Sequence, residues 1–252
     1  MNLNTSLFYR IAIVTGFAFA ILFGLRASIP GRSTAGEHQL DDFIQRQYDQ
    51  LKPMENSKPS FDLYRRGMVG YFNMLEDGKE INNGKITLID FRLSSNKKRL
   101  WIIDLNQNKV IYYRLVAHGK NTGEEYARHF SNIKNSNQSS VGFYLTGENY
   151  NGKHGLSLRL DGMEPGFNDM ARNRAIVMHS AAYVSKDFTK NIGRLGRSFG
   201  CPAIALKDHK EIIKGLANQS VLFIYYPLKE YEEQTKYNDI DKARAYYTNN
   251  YL

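Results

Sequence analysis

From Lys85 onward the chain is broken into short β-forming runs, and this limits the folds open to it more than any other feature. Residues 86–91, 100–105, 110–116, 141–146, 156–160, 175–178 and 221–226 are rich in Ile, Leu, Val, Phe and Tyr, with turn-forming residues between them. Each has the length of a strand and is too short for an amphipathic helix of several turns. Asn106-Gln107-Asn108 turns the second run back on the third as a hairpin, and Gly152 to Gly155 turns between two later ones. Aromatic residues make up 13% of the chain, with 17 Tyr and 14 Phe against a single Trp, a bias that suits pleated, half-buried surfaces. The expectation is a mainly β domain over residues 85–227.

The flanks read differently. Over residues 37–51, Leu40, Phe43, Ile44, Tyr48 and Leu51 recur at helical spacing until Pro53 ends the stripe. A second helix is expected over 61–75, weakened by Gly67 and Gly70. Residues 28–84 are thus a small helical N-terminal appendage, and 228–252 a polar, Tyr-rich C-terminal tail. Near the start, Arg10 precedes the apolar run 11–25, which Arg26 and small residues follow. Residues 1–27 therefore predict a signal peptide, cleaved rather than kept as an N-terminal membrane anchor, and an extracytoplasmic protein. The formal charge of +9 suits an anionic partner. Its Lys and Arg are spread out and form no stripe with aromatics, which argues against nucleic acid.

The only cysteine, Cys201, stands in Arg197-Ser198-Phe199-Gly200-Cys201-Pro202. One cysteine excludes an internal disulfide and any multi-cysteine metal site. The six histidines show no metal-ligand spacing, so no metal and no cofactor are expected. Glycine permits positive φ, and proline fixes its own φ and biases Cys201 towards extended backbone. That setting presents a thiol at a turn beside free backbone N–H groups. A thiolate is the reactive form, so a base must take the proton. His179, delivered at the end of the apolar run 175–178, is the first candidate. His118 is the second, and His154 lies in a turn. Pro202 donates no N–H, which leaves Cys201 with Gly200 or Phe199 to hold an oxyanion. Ser198 is expected either to donate its hydroxyl or to brace the turn.

His179, its spacer and Ser198-Phe199-Gly200-Cys201 resemble the signature of the cysteine L,D-transpeptidases, closest to the murein branch in which proline follows the cysteine. Supporting stretches are Ile89-Asp90-Phe91, Leu115-Val116-Ala117-His118-Gly119, Ser139-Ser140-Val141-Gly142-Phe143-Tyr144, Gly152-Lys153-His154-Gly155-Leu156-Ser157-Leu158-Arg159-Leu160 and Gly193-Arg194-Leu195-Gly196. The resemblance implies a sandwich-like catalytic domain acting on peptidoglycan stem peptides. Cys201 would form an acyl-enzyme and His179 would serve as base and then acid, with a backbone carbonyl orienting the ring. It also implies a catalytic part for Ser198 and Gly200. Ala203 stands where the main branch has arginine, which moves carboxylate recognition to Arg197 or Arg194. Arg159, His118 and Tyr144 join them as substrate-binding candidates. Ser180 follows His179 where glycine is usual. A hydrolase using the same site, an L,D-carboxypeptidase or one that cuts wall linkages, is the alternative, and a non-catalytic wall-binding protein is a further one.

Overall fold

The computed structural model describes residues 39–252. The signal or anchor expected over residues 1–27 lies outside them. Nine strands form one sheet: β1 (Lys85–Asp90), β2 (Leu100–Asp104), β3 (Lys109–Arg114), β4 (Val116–Ala117), β5 (Gly142–Gly152), β6 (Gly155–Gly162), β7 (Val177–Ser180), β8 (Ala203–Ile204) and β9 (Val221–Tyr225). Their order is β3-β2-β1-β9-β5-β6-β7-β8-β4. Neighbours are antiparallel except β1 with β9 and β7 with β8. The two edge strands, β3 and β4, are consecutive in the chain with Leu115 alone between them. The sheet therefore curls until its edges meet, and the expected mainly β, sandwich-like domain is this one nearly closed sheet.

Alternation along the strands gives the sheet two apolar faces. Inside the curl, Ile89, Ile102, Leu222 and Ile224 meet Leu158, Leu160, Met178 and Ile204, and helix α4 (His209–Leu216) adds Ile212, Ile213 and Leu216. The fully buried Arg99 sits where the edges meet. It donates to the carbonyls of Val116 and Leu93, and its guanidinium lies 4.7 Å from the centre of the Phe91 ring. Burial pushes its pKa down to about 9.

The outer face of β1, β2, β5 and β9 is covered by α1 (Gln39–Gln50) and α2 (Phe61–Glu76). Gly67 and Gly70, unfavourable in a free helix, are the contact surface of α2. A Cβ at Gly70 would lie 2.0 Å from the Phe143 ring, and one at Gly67 would lie 2.6 Å from Leu88. Close approach to the sheet thus outweighs a propensity cost of about 1 kcal/mol per glycine. The Tyr-rich C-terminus belongs to the same layer. It forms α5 (Lys229–Gln234), a 3-10 turn (Lys236–Asn238) and α6 (Ile240–Tyr251), with Tyr231, Tyr237 and Tyr247 buried among residues of α1 and α2. Asp41 bridges Arg65 to Arg244. The buried Glu164 accepts from the Phe143 N–H at 2.6 Å, the Tyr231 hydroxyl at 3.0 Å and the Thr235 hydroxyl. The irregular stretch after β6 is thereby tied to the C-terminal segment.

Candidate active site

Cys201 lies two residues before Ala203, which opens β8. β8 is held between β4 and β7, and its parallel register pairs Ala203 with His179. The turn into it is fixed from three sides. The Ser198 N–H donates to the His118 carbonyl at 3.0 Å, and the Lys120 N–H donates to the Ser198 carbonyl at 2.8 Å. Ser198 Oγ donates to the Cys201 carbonyl at 2.6 Å and accepts the Gly200 N–H at 3.1 Å. Ser139, from the long polar connection between β4 and β5, accepts from the Gly119 N–H and donates to the Gly200 carbonyl, both at 3.0 Å. Ser198 is thus a brace within the turn, and it consumes the Gly200 N–H that sequence reading offered to an oxyanion. The N–H groups of Phe199 and Cys201 make no hydrogen bond among the described residues.

Gly200 has φ +124°, a conformation L side chains rarely adopt. A Cβ there would lie 2.8 Å from the Gln138 carbonyl oxygen and 3.0 Å from Ile176 Cδ1. Gly200→Ala is therefore expected to lower stability by roughly 1–3 kcal/mol and to displace Cys201. A thermal melt together with thiol-alkylation kinetics checks this; a wild-type result in both contradicts it.

The thiol is half-buried. Its Sγ accepts the Val177 N–H at 3.4 Å, and its S–H faces the Ala175 carbonyl at 3.7 Å. Ala175 itself has φ +54°. Burial pushes the Cys201 thiol pKa up, while the Val177 N–H and the nearby Arg174 guanidinium oppose that rise. Arg174 sits under the turn, within 3.4 Å of where a Gly200 Cβ would be. It donates to the carbonyls of Ser131 and Gln138 and to the hydroxyls of Ser140 and Ser136. One guanidinium therefore both places a positive charge beside the thiol and ties down the polar connection.

His179 is 2% exposed. Its Nδ1 lies 3.1 Å from the Ser180 carbonyl. A carbonyl only accepts, so Nδ1 carries the hydrogen and Nε2 keeps its lone pair. Burial lowers the His179 pKa, the Ser180 carbonyl opposes this, and His154 lowers it further. A raised thiol and a lowered imidazole leave the resting pair uncharged at neutral pH. Val184 and Leu195, from the segment between β7 and β8 that carries α3 (Lys186–Ile192), cover this outer face of the sheet together with Tyr183. Burial, with a Cys201 thiolate as the second cause, pushes the Tyr183 pKa up to about 12.

The other candidates are placed differently. His118 is buried. Its Nδ1 takes a hydrogen from Arg99 at 2.8 Å and its Nε2 meets the Gly123 carbonyl at 3.1 Å. Burial, with the Arg99 charge second, pushes its pKa down to about 3. Both nitrogens are engaged, so it braces the loop after β4. Tyr144 lies wholly inside the curled sheet, its hydroxyl donating to the Ser140 carbonyl. That leaves neither residue a surface for substrate. Arg159 pairs with Glu148 at 2.8 Å and lies over the Tyr150 ring. Arg194 and Arg197 converge on Glu124, at 2.7 and 2.6 Å, and tie the loop after β4 to the cysteine turn. Arg174 and Tyr183 are neighbours that sequence reasoning missed; Phe199, singled out there for its N–H alone, also exposes its ring, with the Lys120 ammonium over it at 4.9 Å. Arg174 lies in a turn with no spacing signal. A cavity of about 310 Å³ opens farther along the outer face, between Leu115, Ala181 and Ala205, and neither Cys201 nor His179 lines it.

A family model for the L,D-transpeptidase catalytic domain matches residues 55–225. The chain belongs to this family. Among solved structures, an L,D-transpeptidase from Mycobacterium smegmatis is similar at 10% identity over 57% of this chain and 59% of its own, with a TM-score of 0.35. The L,D-transpeptidase LdtMt1 in complex with imipenem is similar at 11% identity over 56% and 59%, with a TM-score of 0.34. The chain thus spans less than two thirds of the length of these matches. No curated protein matches it. Two departures from the wider transpeptidase pattern have a physical reading. Ala203 is fully buried against Ala117, Val184 and Leu195, where a guanidinium has no room, and the arginine near the thiol is Arg174. Ser180 serves His179 through its carbonyl, so a side chain in place of hydrogen there leaves the bond intact.

Proposed function

We propose that the protein is a peptidoglycan L,D-transpeptidase working through a Cys201 acyl-enzyme. The supporting observation is the lone thiol on a braced Gly-Cys-Pro corner, two residues before the strand position that pairs with the buried His179, whose tautomer leaves Nε2 basic. The thiol rotates from Ala175 towards His179; such contacts are commonly loose before substrate binds. His179 Nε2 takes the S–H proton as Sγ attacks the carbonyl of the L-centre diamino acid in a donor tetrapeptide. The N–H groups of Cys201 and Phe199 receive the oxyanion; such donors are each worth ~10²–10³ in rate. The intermediate collapses, the C–N bond breaks, and D-alanine leaves with the proton from His179. An amine from a second stem then attacks the thioester, gives its proton to His179 and so to the departing thiol, and forms a 3-3 cross-link. Water in that step would give L,D-carboxypeptidase activity instead.

Exposed Phe199 and Lys120 are the proposed substrate contacts at the mouth. Arg197 and Arg194 would reach a substrate carboxylate only by exchanging Glu124 for it. The basic charge fits the anionic wall, and the signal-like N-terminus fits an extracytoplasmic site of action. The test incubates the protein with a tetrapeptide donor, with and without an acceptor amine, and weighs the products. A dimer that requires the acceptor supports transpeptidation. Tripeptide alone, whatever the acceptor, shows a hydrolase, and no turnover with retained wall binding shows a binding protein.

A further inference from the structure

The tip of the β5–β6 hairpin carries Lys153 and His154 between Gly152 and Gly155, the last register pair of the two strands. The tip folds over the active site. The His154 ring stacks on the His179 ring with centroids 4.4 Å apart and planes 21° from parallel. His154 is exposed while His179 is buried, so the outer ring covers the inner one from solvent. The Ser180 carbonyl fixes one edge of His179 but leaves its plane free to rock about that bond. A stacked ring removes that freedom.

We propose that His154 is a positioning residue for His179, holding the plane of the imidazole so that Nε2 faces Cys201 and opposing its protonation when itself charged. This rests on His179 being the base. Two imidazoles in face contact are a good pair while at least one is neutral, and two imidazoliums at that distance repel. Protonation of His154 therefore makes protonation of His179 harder, the same direction as burial. The other groups on this face are few. β6 contributes Ser157 opposite His179, and Arg159, which is engaged by Glu148. β8 contributes the uncharged Ala203. The loops contribute Cys201 and Tyr183. Lys153 adds a positive charge at the hairpin tip.

The test uses the full chain as wild type, His154→Phe and His154→Ala. Phenylalanine keeps a stacking ring and removes the charge; alanine removes both. Ring-resonance NMR titration of the resting protein is expected to show the His179 midpoint moving up in His154→Phe. The acid limb of kcat should move to higher pH with it, while kcat near pH 7.5 stays within about twofold of wild type, because the ring is still held. His154→Ala is expected to lower kcat about tenfold with KM little changed, as a small misplacement of a base does, and with Tm unchanged. An unmoved His179 midpoint in His154→Phe, or wild-type kcat in His154→Ala, overturns the proposal. The NMR arm reads the pair without turnover, so it separates failure here from failure of His179 as base, which a His179 variant reports.

Discussion

Sacculi incubated with the Cys201→Ala protein are expected to gain no cross-linked muropeptides over untreated controls, whereas the native chain should produce them. Cys201 is the only thiol, so no second sulfur can take over. In the proposed mechanism, removing the thiol removes the thioester and both half-reactions with it. What remains is a braced turn with backbone donors, and a drop of at least ~10⁴ in rate is expected by analogy with nucleophile deletions elsewhere. The fold should survive. Cys201 is half-buried, and the turn is held by Ser198 and Ser139 rather than by the sulfur. A melt within a few degrees of wild type, paired with absent products in mass analysis, is the expected combination. Unchanged muropeptide products from the alanine variant would sink the acyl-enzyme reading.

The second large effect is expected at His179. His179→Gln keeps a polar side chain of similar length but supplies no base, and the loss in kcat should be about 10²–10⁴-fold. The native pH profile carries the sign of the electrostatics. A base must be neutral to act, and burial lowers the pKa of His179. The acid limb of kcat/KM should therefore have its midpoint below about 6.5, the ordinary histidine value. Resting thiol and imidazole are both uncharged, so alkylation of Cys201 should be slow at neutral pH and quicken as pH rises towards the elevated thiol pKa. A fast, pH-independent alkylation would instead mean a preformed thiolate–imidazolium pair. Rate against pH with a small neutral alkylating agent, in the native chain and in His179→Gln, distinguishes the two.

Residue type and spacing carried a good deal of this. Each of the seven β-forming runs holds a strand, because alternation and turn chemistry are local properties of the chain; the run 110–116 divides at Leu115 into β3 and β4, β5 continues to Gly152, and the two-residue β8 had no run to announce it. The two front helices were also legible, although Gly67 and Gly70 argued against one of them. Their purpose is visible only where Phe143 and Leu88 press on them. The Tyr-rich C-terminus looked like a polar tail because its buried tyrosines are interleaved with charges. Burial of Tyr231, Tyr237 and Tyr247 depends on α1 and α2, far away in the chain.

At the site, the sequence by itself singled out Cys201 and His179, since an isolated thiol between glycine and proline and a histidine closing an apolar strand are both written in order. Tertiary structure decided the rest. Only the closing of β3 onto β4 brings Arg99 against His118 and makes that histidine a neutral brace. Only the packing of the β4–β5 and β6–β7 connections against the cysteine turn places Ser139 and Arg174 around Gly200. Only the hairpin tip lays His154 on His179. Hydrogen bonds, burial and stacking act through space between residues far apart in the chain, and local pattern carries no measure of that distance.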